Sequence, residues 1–308
     1  MHLPSIQAPC VPQEPEVTQD NIDHAAHLAF EAMGCRFEMI LDSTNSRCDN
    51  QAIAEEMRDL VLEWHDRLSI FEPSSMTSRI NGALSGVEIV LDSDMYNLCA
   101  LSDHLRIRTH GAFNIATGTL THPTNNNINL NTAFTLNPEN QSITKTDDRV
   151  AIDFGAIAKG FVLDLIRNEL QAYGITNAFI HGGTSSVLAV GTNSWSIQVG
   201  DTYRVNMQNF AAGVSENYSQ TKELQGITVG HLMDPITNNP VRNSTVQVVC
   251  IHKCAAVADA YATACCVLPT LVDELTSDPC TIIVFDSKIH PTIHDPLDIV
   301  QTNSKDAT

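Results

Sequence analysis

Apolar positions in this chain fall at helical spacing in its first third and in short strand-length runs in its second half. From His27 to Leu41 apolar and polar residues alternate, which predicts a strand. Residues 51–68 place Ile53, Met57, Leu60, Trp64 and Leu68 on one helical face. A second helix is expected from Met95 to Arg106, with Leu98, Leu101 and Leu105 sharing a face. A short strand at Val150–Phe154 should enter a helix running from Ala156 to about Gln171. Further strands are expected at Ala178–His181, Val187–Gly191, Ser196–Val199, Val205–Gln208 and Val246–Ile251. The last of these leads into an alanine-rich helix, Val257–Leu268. Strands and helices do not alternate regularly, so the fold class is α+β. Residues 1–20, with four prolines and little apolar pattern, read as an extended tail, and residues 21–308 as a single domain. Within that domain, residues 121–148 are rich in Asn and Thr and read as a surface excursion.

Composition narrows the function. The chain has 308 residues, 43% hydrophobic and 17% charged, enough for one large domain or two intimate subdomains with a sizeable core. Its 17 basic and 36 acidic residues give a formal charge of −19. A surface that acidic disfavours nucleic acid and anionic membranes as partners. The same field repels a free anionic dinucleotide, so a site for one needs local cations, and in a lysine-poor chain Lys159 stands out. Nine cysteines at irregular spacing read as buried free thiols in a reducing compartment. Cys250 and Cys254 lack both C-x-x-C spacing and a second pair. The N-terminus has no cationic start and no apolar run, and no membrane span is visible. A cytoplasmic protein is expected, or an exported one if a leader has been removed.

The helix VADAYATACCVL sets Asp259 and Thr263 one turn apart on one face. A carboxylate and a hydroxyl so stacked form half of a hard-cation site, and Mg²⁺ takes oxygen ligands while leaving positions for water and phosphate. Alone, the pair also reads as a capping aspartate beside a packed threonine. Four other segments share the chain with it: GAFNIATGTL (111–120), AIDFGAIAKGF (151–161), HGGTSSVLAVG (181–191) and GHLMDPITNNPV (230–241). With AMGCRFEMIL (32–41) and RLSIFEPSSMTSRIN (67–81), they resemble, in order, the motifs of the ApbE family, the FAD:protein FMN transferases. The likeness runs from about Phe30 to Leu268 and implies mixed sheets with flanking helices, in two subdomains with FAD in the cleft between them.

The residues and the resemblance together nominate a site. Asp153, Ala156 and Lys159 lie where a strand turns into a helix, whose free N–H groups and dipole suit phosphate; a helix start with a surface lysine is the other reading. The resemblance implies that the Ala156 carbonyl joins Asp259 and Thr263 around Mg²⁺, with Asp153 and Lys159 contacting FAD. His231, in H-L-M-D-P with Asp234, is either the proton acceptor or a loop-stabilising histidine, and the family pattern favours the base. Asn238 stands where the family usually has Gly, and Asn tolerates the left-handed backbone that such a turn needs. By the same resemblance Met33, Phe71 and Met233 contact the flavin, although Phe71 could instead pack in the core. Ala112, Phe113 and Asn114 match the family's G-A-F-D, with Asn replacing the Asp. Cys35 replaces a Thr, Thr184 an acidic residue, and Ser215, Glu216, Asn217 and Tyr218 stand for S-G-D-Y.

The reaction so implied is phosphoryl transfer. A threonine hydroxyl of an acceptor flavoprotein carrying a Ser/Thr-containing motif attacks the FMN-side phosphorus of FAD, and AMP leaves. His231 takes the hydroxyl proton. Two alternatives use the same residues: an FAD pyrophosphatase giving FMN and AMP, and a non-catalytic FAD-binding protein.

Overall fold

One antiparallel sheet of eight strands organises the molecule, in the order Ala26–Ala32, Cys35–Asp42, Asn177–Gly182, Ser186–Gly191, Ala211–Glu216, Thr245–His252, Thr281–Asp286 and Thr292–His294. The computed structural model describes residues 25–302, apart from 44, 122–126, 218–220, 225–226, 231, 243, 276 and 287–290. Both faces of the sheet are covered. Ala178, Ile180, Leu188, Val190, Val248, Cys250 and Ile282 face the larger core, where helices α1 (Arg47–Leu68), α4 (Ala158–Ala172) and α5 (Ala255–Val267) pack. Their alternates Phe179, Val187, Ala189, Val249, Ile251 and Ile283 face a second core closed by the strands Trp195–Val199, Tyr203–Met207 and Val300–Thr302. Burial on both faces is why these strands read as continuous apolar runs rather than as alternation.

Helix α1 buries Ile53, Met57, Trp64 and Leu68 as its spacing predicts, while Leu60 is half-buried and Val61 takes the fully buried place beside it. Trp64 meets Phe161 of α4 edge-on, with ring centroids 5.2 Å apart. Helices α2 (Met76–Gly82), α3 (Ser93–Arg108) and α6 (Leu271–Leu275) complete the described set; α3 covers the segment expected from residue 95. Among the described residues no helix is long and apolar enough to cross a membrane.

Three expectations change. The strand expected from His27 to Leu41 is a hairpin, Ala26–Ala32 and Cys35–Asp42, turned by Met33 (φ 49°) and Gly34 (φ 73°). Alternation continues through such a turn, so periodicity alone does not reveal it. Residues 121–148 carry more structure than their composition suggests: Phe134–Asn137 and Ser142–Lys145 pair with each other, Glu88–Val90 joins the latter, and Leu130, Ile143 and Lys145 are buried. The buried Lys145 ammonium donates to the carbonyls of Asn81 (2.7 Å), Asp148 (3.2 Å) and Val150 (2.9 Å). Val150–Phe154 joins no sheet among the described residues. The Asn81 side chain takes both backbone groups of Ile152 (2.7 and 2.9 Å), Thr119 takes the Ala151 N–H (2.9 Å), and the Ile115 carbonyl takes that of Asp153 (2.7 Å).

Candidate active site

Two glycines decide where α5 lies. A Cβ on Gly213 would come within 2.4 Å of the Ala258–Asp259 backbone, and one on Gly160 within 2.3 Å of the Ala255 carbonyl. Bare backbone at both points lets α5 settle onto the strand Ala211–Glu216 and against α4. The start of α5 is capped from α4: Asp164 accepts the N–H groups of Ala255 and Ala256, each at 2.9 Å, and the Cys254 thiol at 3.0 Å. Burial and that carboxylate push the Cys254 thiol up to about 12, so it is an inert donor.

This seating brings Asp259 to the first turn of α4. Its Oδ2 accepts the Gly160 N–H at 2.7 Å, and the Ser186 hydroxyl lies 2.9 Å from Oδ1 and 3.0 Å from Oδ2. Only 8% of Asp259 is exposed. Burial pushes its carboxyl up to about 7, against the opposing pull of Lys159, Ser186 and the Gly160 amide. Because Gly160 gives its N–H to Asp259, the Ala156 carbonyl four residues back has no partner among the described residues. The half-buried Thr263 hydroxyl, one turn along α5, has none either. Helix α4 begins without a side-chain cap.

These groups open onto a cavity of about 530 Å³. Nine of the nominated residues line it: Ala112, Phe113, Asn114, Asp153, Ala156, Lys159, Met233, Asp259 and Thr263. Lys159 makes no ion pair among the described residues, and its charge acts on both Asp259 and Cys35. Asn114 spends its amide inside the protein, donating to the Leu130 carbonyl (3.1 Å) and accepting the Ala116 N–H (2.9 Å). Asp153 accepts the Gly155 N–H at 2.8 Å. Asp234 closes its own turn, accepting from the Ile236 N–H (2.8 Å) and the Thr237 hydroxyl (2.8 Å), and Asn238 has φ 57°, the left-handed backbone expected of it.

Two nominated residues do not reach the wall. Phe71 is 88% exposed on the loop after α1, where Ser69 Oγ accepts its N–H and that of Glu72, rather than packed in the core. Met33 occupies the hairpin turn, its N–H donating to His65 Nδ1 at 2.7 Å, and packs against the main core. His231 lies outside the described residues; Leu232 and Met233, next along the chain, line the cavity. Thr117, Ser186 and Glu216 also line it; Glu216 was noted only as a departure from the family's S-G-D-Y, and the other two were not nominated. A serine beginning a buried strand in a quoted motif was the available signal for Ser186.

The donor set suits a hard cation. One carboxylate, one hydroxyl and one carbonyl are all oxygen ligands, too few for a closed protein cage, which fits Mg²⁺ retaining water and substrate phosphate. Among the described residues no cluster of three His, Cys, Asp or Glu could hold a metal. Lys159 supplies positive charge on the same wall, as a pyrophosphate needs.

Comparison with known proteins places these features in context. A family model described as the ApbE family matches residues 33–276. An FAD:protein FMN transferase of Vibrio cholerae is 24% identical over 266 residues, spanning 77% of this chain and 79% of that protein. One from Treponema pallidum is 24% identical over 261 residues, covering 70% and 71%. Among solved structures, an ApbE protein from Thermotoga maritima aligns with a TM-score of 0.76 at 21% identity, over 88% of this chain and 97% of that one. The flavin transferase ApbE from Vibrio cholerae aligns with a TM-score of 0.76 at 19% identity, over 91% and 97%.

Proposed function

The chain belongs to the ApbE family, and from that premise we propose that it catalyses the Mg²⁺-dependent transfer of FMN from FAD to a threonine hydroxyl of an acceptor flavoprotein, releasing AMP. One observation carries the reading: three oxygen donors (Asp259, Thr263 and the Ala156 carbonyl) share a cavity wall with Lys159, which makes no ion pair among the described residues. A cation held by those oxygens would supply charge neutralisation at the pyrophosphate.

The chain's own residues do the rest. Lys159 binds and orients the pyrophosphate. Asp153, Met233 and the Ala112–Asn114 segment bound the space for the rest of FAD. His231 accepts the proton of the acceptor hydroxyl as its oxygen attacks the FMN-side phosphorus. The phosphoester bond forms while the bridging P–O bond of the pyrophosphate breaks, and AMP departs with that oxygen. Positioning and electrostatics suffice for a reaction of this type.

The test measures AMP released from FAD with Mg²⁺, with and without a threonine-bearing acceptor, for the parent protein and Asp259→Ala. Acceptor-dependent AMP with covalent flavin on the acceptor, both lost in the variant and after chelation with EDTA, supports the transferase. AMP without flavinylation supports the pyrophosphatase. Tight FAD binding with no AMP under any condition leaves a flavin-binding protein.

A further inference from the structure

Ser186 opens the strand Ser186–Gly191 and lies directly across from Gly213 in the neighbouring strand. Gly213 admits the α5 backbone at Ala258–Asp259, and beside that gap the Ser186 side chain reaches the Asp259 carboxylate. Ser186 is 1% exposed, and its single hydroxyl proton is shared between both oxygens, at 2.9 and 3.0 Å. The Gly160 N–H fixes Oδ2 from α4. A carboxylate offers about four lone-pair directions. Each oxygen therefore carries a protein donor with lone pairs to spare, and Asp259 and Ser186 both line the cavity.

We propose that Ser186 is a positioning residue for the candidate cation site: its hydroxyl sets the rotation of the Asp259 carboxylate before any cation arrives. The inference rests on the reading of Asp259 as a cation ligand. Without the hydroxyl, Gly160 is the one anchor left among the described residues, on Oδ2, and the carboxylate can turn about its Cβ–Cγ bond. Groups that orient a metal ligand in this way typically change metal affinity by about 10- to 100-fold when removed. A hydroxyl at this position suffices for the role, so threonine should replace serine where alanine does not; β-branching is also well tolerated in a strand.

The experiment titrates Mn²⁺ into the full chain with FAD present and follows free Mn²⁺ by electron paramagnetic resonance, for the parent, Ser186→Ala, Ser186→Thr and Asp259→Ala. Thermal melting of each variant is recorded alongside. The expected result is Mn²⁺ binding weakened about tenfold or more in Ser186→Ala, recovery towards the parent in Ser186→Thr, and a Ser186→Ala melting curve that remains a single transition. In turnover, the apparent KM for the cation should rise in Ser186→Ala while kcat at saturating cation changes less than threefold. Mn²⁺ binding by Ser186→Ala within twofold of the parent overturns the inference, as does equal weakening in Ser186→Ala and Ser186→Thr. Mn²⁺ binding unchanged in Asp259→Ala overturns the cation reading itself, and so separates the two failures.

Discussion

At the scale of single residues, the cavity concentrates an unpaired lysine and a buried carboxylate, and both have measurable consequences. Asp259 has a carboxyl held at about 7 in the fold against an ordinary 3.8. Between about pH 4 and pH 7 the unfolded chain has lost this proton while the native metal-free protein retains it. Its contribution to stability is complete below that window and disappears as pH rises through 7. At about 1.4 kcal/mol per pH unit, the ionised carboxylate costs the metal-free fold about 4 kcal/mol at pH 8. Asp259→Asn keeps an acceptor for Gly160 and a partner for Ser186 without the charge. The variant is therefore expected to melt higher than the parent at pH 8 without metal, to converge with it near pH 4, and to release no AMP. Parallel melting curves for both proteins from pH 4 to pH 8 would contradict this account of the site. Lys159→Met removes a charged hydrogen bond worth roughly 1.5–3 kcal/mol. Its FAD dissociation constant should rise tenfold or more, read by flavin fluorescence, with melting temperature little changed because the ammonium makes no ion pair among the described residues.

At the scale of elements, the seating of α5 is the feature on which the site depends. A methyl at Gly160 or Gly213 would meet backbone at 2.3–2.4 Å, and backbone cannot yield as a flexible side chain can. Gly160→Ala and Gly213→Ala are each expected to lose about 3 kcal/mol or more in urea unfolding. Any folded fraction should also bind Mn²⁺ poorly, since Asp259 moves with α5; a stable Gly213→Ala with parental Mn²⁺ affinity would show that the close approach is dispensable. Much of this level was legible in the sequence. Amphipathic spacing located α1 and α3, and the 151–161 and 257–268 segments marked the helices that carry the cavity residues. What was not legible has physical causes. The strand Ala211–Glu216 lies between two other strands, yet its small residues, chosen for contact with α5, carry little strand signal. Segment 150–154 looks like a strand because buried apolar residues alternate along it, but side chains and loop carbonyls rather than a neighbouring strand take its backbone groups. Phe71 shows the converse, an aromatic nominated by motif that its loop leaves in solvent. The partnership of Ser186 with Asp259 joins positions 73 residues apart, and periodicity does not report such contacts.

At the scale of the whole molecule, a formal charge of −19 surrounds a cavity whose substrate is proposed to be an anion and whose metal a dication. The two should respond to salt in opposite directions. Distributed surface charge acts over distances comparable to the Debye length, about 10 Å at 0.1 M and 30 Å at 0.01 M. Raising ionic strength therefore screens the repulsion of FAD by the distant acidic surface more than the short-range attraction by Lys159. FAD binding without metal is expected to strengthen between 10 and 150 mM NaCl, by roughly two- to fivefold in the association rate. Mn²⁺ binding without FAD should weaken over the same range, because screening removes the field that concentrates cations around the protein. Stopped-flow flavin fluorescence measures the first and electron paramagnetic resonance the second. Weakening of both would mean that Lys159 and the start of α4 dominate the field felt by an approaching flavin, and that the acidic surface is turned away from the cavity mouth. Opposite responses would mean that the acidic shell favours the cation over the dinucleotide at low salt, leaving Lys159 and the bound metal to retain FAD once it enters.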